Sequence, residues 1–140
     1  MSETLEYPTQ PKVDVKGGVV AYLNVDGAIK AAEFYVKAFG GEIAGQMPPD
    51  EQGRSMHVHA YINGSSVMLS DFYPEHGHAK LRPQGFTMLL AVEDGIHERF
   101  QRAVNAGCTV VAPVRQMFWG DLYGELKDPW GVSWAMNQQA

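Results

Sequence analysis

The sequence contains a single cysteine and few basic residues. Cys108 excludes an internal disulfide framework and fits a reducing compartment. No nucleophile motif surrounds it, so we interpret Cys108 as a small buried hydrophobic residue. Eleven Lys and Arg stand against sixteen Asp and Glu, which gives a formal net charge of −5. Because nucleic acids are bound through concentrated positive charge, this balance argues against a nucleic-acid partner.

Long apolar runs are also missing. No stretch approaches the about 18 apolar residues that cross a membrane. The first residues, MSETLEYPTQPK, show neither the basic start nor the apolar segment of a secretory signal. We therefore expect a soluble, cytoplasmic protein with no membrane partner. Glycine-rich phosphate loops, nucleophile elbows and the HExxH motif are absent as well.

What is present indicates one compact domain, since 45% of the 140 residues are apolar. We expect the N-terminal arm, residues 1–16, to be loosely ordered or to lie across a neighbour. Asp26 and Asp94 are predicted to cap two helices that end at Gly40 and Gly107. Alternating patterns and turn signals predict strands at 19–25, 42–47, 54–62, 66–72, 85–92, 108–114, 117–126 and 132–136.

The order of these elements is β-α-β-β-β, and it occurs twice. Three landmarks recur at one offset of 67 positions: the end of the first strand, the glycine after the helix and the glycine of the last hairpin. The pairs are Val25 and Val92, Gly40 and Gly107, and Gly64 and Gly131. The sequence therefore predicts an α+β domain, residues 17–140, built from two tandem βαβββ modules at 17–72 and 85–140.

Three segments carry a resemblance to a known family. They are YLNVDGAIKAAEFYVKAFGGE, GSSVMLSD and FWGDLYGELKDPWGVSWAM. Together they resemble the PhnB-like branch of the glyoxalase/bleomycin resistance protein/dioxygenase (vicinal oxygen chelate) superfamily, from Val19 onward. The resemblance implies two modules that form a curved mixed sheet around a ligand cavity, in a homodimer. It also implies that the enzymes of the superfamily hold a divalent metal in that cavity.

The resemblance places the family's metal ligands on the first and last strand of each module. In this sequence those positions fall on Val20, Met68, Thr87 and Ala135. None of these four residues is a usual ligand of a divalent metal. We therefore predict no metal at the usual site and no other cofactor. A divalent metal bound at a displaced site is the alternative.

Three other residues are candidates for chemistry. His57 and His59 are two apart on a predicted strand, so they project from one face and could chelate a metal or act as an acid and a base. Asp71, at the end of the next strand, could orient a ligand or a histidine. The alternatives are histidines on a solvated sheet face and an aspartate that bonds a turn. We interpret residues 71–78 as a flexible surface loop and not as a metal clamp.

Strand alternation also predicts the lining of a cavity. Residues in phase with the four ligand positions are apolar with scattered hydroxyl and amide groups, which suits a small organic ligand. The predicted lining includes Tyr22, Asn24, Met68, Ser70, Thr87, Leu89 and Ala135. Trp119, Asp121 and Tyr123 alternate on another strand and could add an aromatic wall. Alternatively, the two aromatic rings cover the sheet or a dimer contact, and Asp121 fixes the bend.

Two functions follow from these observations. The first is a glyoxalase/bleomycin-resistance-type protein that binds or sequesters a small, partly apolar metabolite or drug without the usual metal centre. The second is a metal-dependent lyase, dioxygenase or isomerase with a displaced site at His57, His59 and Asp71. The missing donors favour the first, whereas the resemblance favours an enzyme. We expect a homodimer in either case.

Overall fold

The computed structural model describes residues 12–140, which form two modules of identical element order. The first contains β1 (Ala21–Val25), α1 (Ala28–Phe39), β2 (Gly41–Gln46), β3 (Val58–Ile62) and β4 (Ser65–Asp71). The second contains β5 (Met88–Val92), α2 (Ile96–Ala106), β6 (Thr109–Gln116), β7 (Leu122–Lys127) and β8 (Ser133–Gln138). The segment between the modules carries a short 3₁₀ turn, Pro74–His76. The predicted α+β architecture of paired βαβββ modules is confirmed.

Each module builds its own four-stranded mixed sheet. Sheet A has the strand order β1-β4-β3-β2, and sheet B has the order β5-β8-β7-β6. The first strand of each module runs parallel to the last, and the other neighbours are antiparallel. We expected one curved sheet around a cavity. Within residues 12–140, however, no strand pairing joins sheet A to sheet B.

The strands predicted at 54–62 and 117–126 begin later than the sequence pattern indicated. Both are preceded by a tight turn, in which Gly53 N donates to Asp50 O and Gly120 N donates to Met117 O, each at 2.9 Å. In the second module the turn takes up the first residues of the predicted strand, so β7 begins only at Leu122. In the first module the turn ends at Gly53, and residues 54–57 form an irregular segment before β3 begins at Val58. The two turns occupy equivalent positions in the two modules.

The helix caps come from residues that the sequence pattern did not indicate. The Asp71 carboxylate accepts hydrogen bonds from Gly27 N at 2.7 Å and from Ala28 N at 3.1 Å. At the second helix, Gln138 Oε1 accepts from Ile96 N at 3.0 Å. Because the last strand of each module runs parallel to the first, it ends beside the start of the helix. Asp26 and Asp94 cap neither helix, so that prediction was wrong.

The core lies between the two sheets, where both helices are found. Helix α1 contacts β2, β3 and β4 of sheet A, and α2 contacts α1 and sheet B. The Trp134 ring of sheet B lies 4.2 Å from the Phe39 ring and 4.8 Å from the Tyr35 ring of α1, measured between centroids. The face of each sheet that carries Leu23 or Trp134 is therefore covered by helices. The opposite face of each sheet, called here the outer face, is turned away from them.

A buried carboxylate joins the two modules inside this core. Asp128, in the turn before β8, accepts hydrogen bonds from Tyr35 Oη of α1 at 2.5 Å and from Trp134 Nε1 at 2.9 Å. It also accepts from the backbone N–H groups of Trp130 at 2.8 Å and Val132 at 3.0 Å. Four donors thus satisfy a group that would be costly to bury alone.

The structure also bears on the burial of Cys108, the position of the N-terminal arm and the presence of a membrane-spanning helix. Cys108 is buried as predicted, and burial raises the pKa of its thiol to about 12. Residues 12–16 of the predicted arm lie across sheet A of the same chain, and residues 1–11 lie outside the described part. In residues 12–140 neither helix is long and apolar enough to cross a membrane.

Candidate functional site

The outer face of sheet A brings several of the predicted site residues together. The strand register places Met68 of β4 opposite Tyr22 of β1 and opposite His59 of β3. These three side chains therefore share a face. Tyr22 is 50% exposed, whereas its neighbour Leu23, on the helix side, is 6% exposed.

A cavity of about 460 Å³ lies over this outer face, and it is called here the apolar cavity. Most of its lining is aliphatic or thioether, and the polar groups are two imidazoles and one amide. The lining residues are Val13, Val15, Ala44, Gly45, Gln46, Met47, His57, His59 and Met68. The size and the lining are typical of sites for small organic ligands.

Residues 13–16 of the arm form one wall of the apolar cavity. Lys16 N donates to Ser66 Oγ at 2.8 Å, and Ser66 N donates to Lys16 O at 2.9 Å. Tyr61 Oη donates to Asp14 O at 2.7 Å, and the Lys16 ammonium lies 3.9 Å from the centre of the Tyr61 ring. Sheet A therefore holds the arm in place by hydrogen bonds and a cation–π contact.

His57 and His59 both line the apolar cavity, with their ring centroids 6.3 Å apart. His59 is 3% exposed, and its Nε2 forms a 2.7 Å hydrogen bond with Ser66 Oγ. Burial, and secondarily the charge of His57, lowers the pKa of His59 below its usual 6.5. His59 is therefore neutral at pH 7. His57 Nδ1 lies 3.3 Å from Tyr22 Oη at the edge of the cavity.

Asp71 does not join the two histidines. It is 4% exposed and points to the helix side of sheet A, where Ser55 N also donates to it at 2.8 Å. Successive strand residues point to opposite faces, so Ser70 reaches the outer face and Asp71 cannot. The three residues of the displaced metal centre, which was the alternative to a site without metal, are therefore not brought together. In residues 12–140, no group of three His, Cys, Asp or Glu is arranged to hold a metal.

The positions that the resemblance assigned to metal ligands do not fit a metal either. Met68 lies on the outer face of sheet A and Ala135 on sheet B, where Ala135 pairs with Leu89. Alanine and leucine offer no donor atom, and a thioether is a poor ligand for a hard divalent ion. Val20 and Thr87 lie just before the first strand of each module.

The predicted lining is divided between two outer faces. Tyr22, Asn24, Met68 and Ser70 lie on sheet A, whereas Leu89 and Ala135 lie on sheet B, with Thr87 just before it. Because the helices lie between the sheets, the two groups do not face one another within one chain. The single cavity predicted from strand alternation is therefore not formed by one chain. The alternation pattern assigns a face to each residue, but it does not determine how two sheets pack.

Trp119, Asp121 and Tyr123 lie at the far end of sheet B, away from the apolar cavity. Trp119 is in the turn before β7 and is 48% exposed, with its ring 6.4 Å from that of Tyr123. The Asn137 amide donates to Asp121 at 2.9 Å, and this bond is the main cause that lowers the pKa of Asp121. Asp121 is thus bound to the end of β8, and the predicted alternation of these three residues fails at Trp119.

A second cavity of about 280 Å³ adjoins the first on the outer face of sheet A, and it is called here the polar cavity. It is lined by Tyr22, Asn24, Met56, Ser70, Tyr73, His76 and His78. From its sequence, the loop that contributes Tyr73, His76 and His78 is interpreted as a flexible surface loop. The many hydrogen-bonding side chains of this loop were the sequence signal for a second cavity. For the wall that residues 13–16 add to the apolar cavity, the signal was the two-residue spacing of Val13 and Val15, which places both side chains on one face.

The comparisons with known proteins agree with this architecture. The family profile of the Glyoxalase/Bleomycin resistance protein/Dioxygenase superfamily matches residues 18–136, and the chain belongs to that superfamily. The uncharacterized protein Mb0911c of Mycobacterium bovis is 39% identical over 133 residues, which cover 90% of this chain and 86% of that protein.

Two solved structures illustrate the shared fold. Protein PA1353 from Pseudomonas aeruginosa is 25% identical with a TM-score of 0.71, covering 86% of this chain and 96% of that one. The PhnB protein from Bacillus cereus is 20% identical with a TM-score of 0.66, covering 87% of this chain and 99% of that one. At 20% identity the likeness concerns the fold alone.

Proposed function

We propose that this chain binds a small, partly apolar organic molecule in the apolar cavity of sheet A. The observation that carries the proposal is the cavity itself, about 460 Å³ in volume, with aliphatic and thioether walls and two imidazoles. Sites for small molecules combine apolar walls with a few polar groups that orient the ligand. Here the polar groups are the imidazoles of His57 and His59 and the amide of Gln46.

The lining also indicates the chemical class of the ligand. Met47 and Met68 have flexible, polarizable thioethers, which adapt to irregular shapes and make favourable contacts with aromatic rings. His59 is neutral at pH 7, and neither Lys nor Arg lines the cavity within the described residues. An uncharged ligand with an aromatic or aliphatic body therefore fits better than a phosphonate or a phosphate.

The proposed binding does not use the metal centre of the superfamily's enzymes. Support comes from the side chains at the four family positions, which do not offer a usual set of metal ligands. We expect the protein, purified after expression in metal-supplemented medium, to hold no stoichiometric divalent metal. Elemental analysis tests this. One Zn, Ni, Mn or Fe per chain, lost in His57→Ala or His59→Ala but kept in His97→Ala, would favour the metal-dependent lyase, dioxygenase or isomerase.

A thermal-shift screen against small metabolites and aromatic drugs tests the binding itself. A ligand at about 100 times its dissociation constant stabilises the native state by about 2.7 kcal/mol, which raises the melting temperature measurably. We expect hits among uncharged aromatic compounds. Hits confined to phosphorylated or strongly anionic compounds would contradict the proposed site.

We also propose that the chain forms a homodimer and that it belongs to the PhnB-like branch of the superfamily. The outer faces of the sheets support the dimer, because they carry exposed apolar side chains such as Tyr22 on sheet A and Leu89 on sheet B. The two halves of the lining would meet only if sheet A of one copy faced sheet B of another.

The three sequence segments and the fold shared with the Bacillus cereus PhnB protein support membership of the PhnB-like branch.

A further inference from the structure

The two cavities on sheet A are adjacent, and they differ in chemistry. Met68 of β4 lines the apolar cavity, and Ser70, two residues further along the same strand, lines the polar cavity. Both side chains project from the outer face, at a spacing of about 7 Å. A single small molecule could therefore reach both cavities through a linker of three or four bonds.

Tyr22 and His57 form the boundary between the cavities. Tyr22 Oη lies 3.3 Å from His57 Nδ1, and His57 lines the apolar cavity. Tyr22 Oη also donates to Met56 O at 3.3 Å, and Met56 lines the polar cavity. Both hydrogen bonds are long, and Tyr22 is half exposed, so the boundary resists displacement only weakly.

The polar cavity offers hydrogen-bonding groups without a fixed charge. The Asn24 amide can both donate and accept, and the Ser70 hydroxyl, which donates its proton to Asp71 O at 2.9 Å, adds an acceptor. The ring of Tyr73 forms part of the wall. Its buried hydroxyl has no hydrogen-bond partner within the part of the chain that the structure describes. Because this hydroxyl has almost no solvent-accessible surface, it does not count among the groups that are open to a ligand.

We propose that the two cavities form one bipartite site for an amphipathic small molecule. Its aromatic or alkyl end contacts Met47 and Met68, and its uncharged hydrogen-bonding end, an amide or a hydroxyl, contacts Asn24 and Ser70. This inference rests on the proposed function, because it extends the apolar cavity by a polar subsite. It names the ligand class more narrowly than the apolar cavity alone does.

The test compares two probes that differ only in the polar end, 4-phenylbutanamide and propylbenzene. Calorimetric titration should show that the amide binds about threefold to tenfold more tightly, since one or two hydrogen bonds are added. Methionine methyl resonances report where each probe lies. Both probes should shift Met47 and Met68, only the amide should shift Met56, and the core residue Met136 should stay unchanged.

Two variants test whether the tighter binding of the amide depends on Asn24 or would follow any asparagine-to-leucine substitution. In Asn24→Leu the two probes should bind with equal affinity, because the hydrogen-bonding amide is replaced by an apolar side chain of similar size. In Asn105→Leu, on the exposed face of α2, the amide should keep its advantage. Equal affinity in the wild type, with Met56 unshifted, would overturn the bipartite site and leave the apolar cavity standing. If neither probe shifts Met47 or Met68, the proposed function fails as well.

Discussion

At the scale of single residues, His59 is the buried titratable group in the wall of the apolar cavity. Its imidazole is buried against Ser66 under the arm, and both burial and His57 disfavour the protonated form. The sequence indicated that His57 and His59 share a face, because they are two apart on a strand. It could not indicate the direction of the pKa shift of His59, since the burial that causes it depends on how the strands and the arm pack around the ring.

The lowered pKa of His59 predicts a pH-dependent stability. A group whose pKa is lower in the folded than in the unfolded state contributes full stability above the unfolded value, here 6.5, and loses it as the pH falls below that value. We expect the free energy of unfolding, measured by urea denaturation, to fall between pH 7.5 and pH 5.5. The fall should be smaller in His59→Gln, which stays neutral.

The carboxylate of Glu75 does not contribute to the fall in stability over this pH range. The Arg54 guanidinium holds the pKa of Glu75 at about 2, so its contribution is lost only below its unfolded value of 4.5. The matched control is His97→Gln on the exposed side of α2, which should keep the wild-type fall. An undiminished fall in His59→Gln would contradict the assignment.

At the scale of elements, the start of α1 shows what local sequence can and cannot determine. The helix and its glycine end were predictable from the spacing of alanines and aromatic residues. The cap was not, because Asp71 lies 44 positions from Gly27 and 43 from Ala28. Asp26 has the right residue type at the right place, but its carboxylate bonds the exposed Lys80 instead. Only the parallel pairing of β1 with β4 brings Asp71 there.

This difference predicts unequal effects of two aspartate substitutions. Asp71→Ala removes the acceptor of three backbone N–H groups, so it should lower the free energy of unfolding by about 2 to 4 kcal/mol. Asp26→Ala removes only an exposed ion pair and should change it by less than about 0.5 kcal/mol. Urea denaturation at pH 7 measures both. Equal losses, or a larger loss for Asp26→Ala, would show that the cap is misassigned.

The turns before β3 and β7 share a backbone conformation but differ in residue type. Their hydrogen bonds are equivalent, yet the first carries Glu51 and Gln52 and the second carries Phe118 and Trp119. The polar version shows that the turn does not require aromatic residues. The sequence pattern extended the strand through Trp119 because aromatic residues favour strands, whereas the backbone uses them in a turn.

At the scale of the whole molecule, the offset of 67 positions predicted two modules correctly. It could not predict how the modules meet, because each sheet has apolar side chains on both faces. Trp134 and Leu23 lie on the faces that are covered, and Tyr22 and Leu89 lie on the faces that are not. Packing, and the Asp128 bond to Tyr35 in particular, selects the arrangement with the helices between the sheets.

This arrangement leads to a prediction about assembly. Both outer faces expose apolar side chains, so we expect two copies of the chain to associate and cover them. Light scattering at tens of micromolar should give about twice the chain mass of 15.4 kDa. Substituting Leu89→Lys on the exposed outer face of sheet B should shift the mass toward the monomer, whereas Val19→Lys should not. A monomeric wild type would count against the dimer.

The central claim is that the apolar cavity of sheet A is the ligand site. Its most direct test is calorimetric titration of a hit from the thermal-shift screen into the wild type and two variants. Met68→Trp fills the cavity and should weaken binding at least about tenfold, which corresponds to a loss of about 1.4 kcal/mol. Val111→Trp, on the exposed part of β6, should bind as the wild type does. Unchanged binding by Met68→Trp would contradict the account.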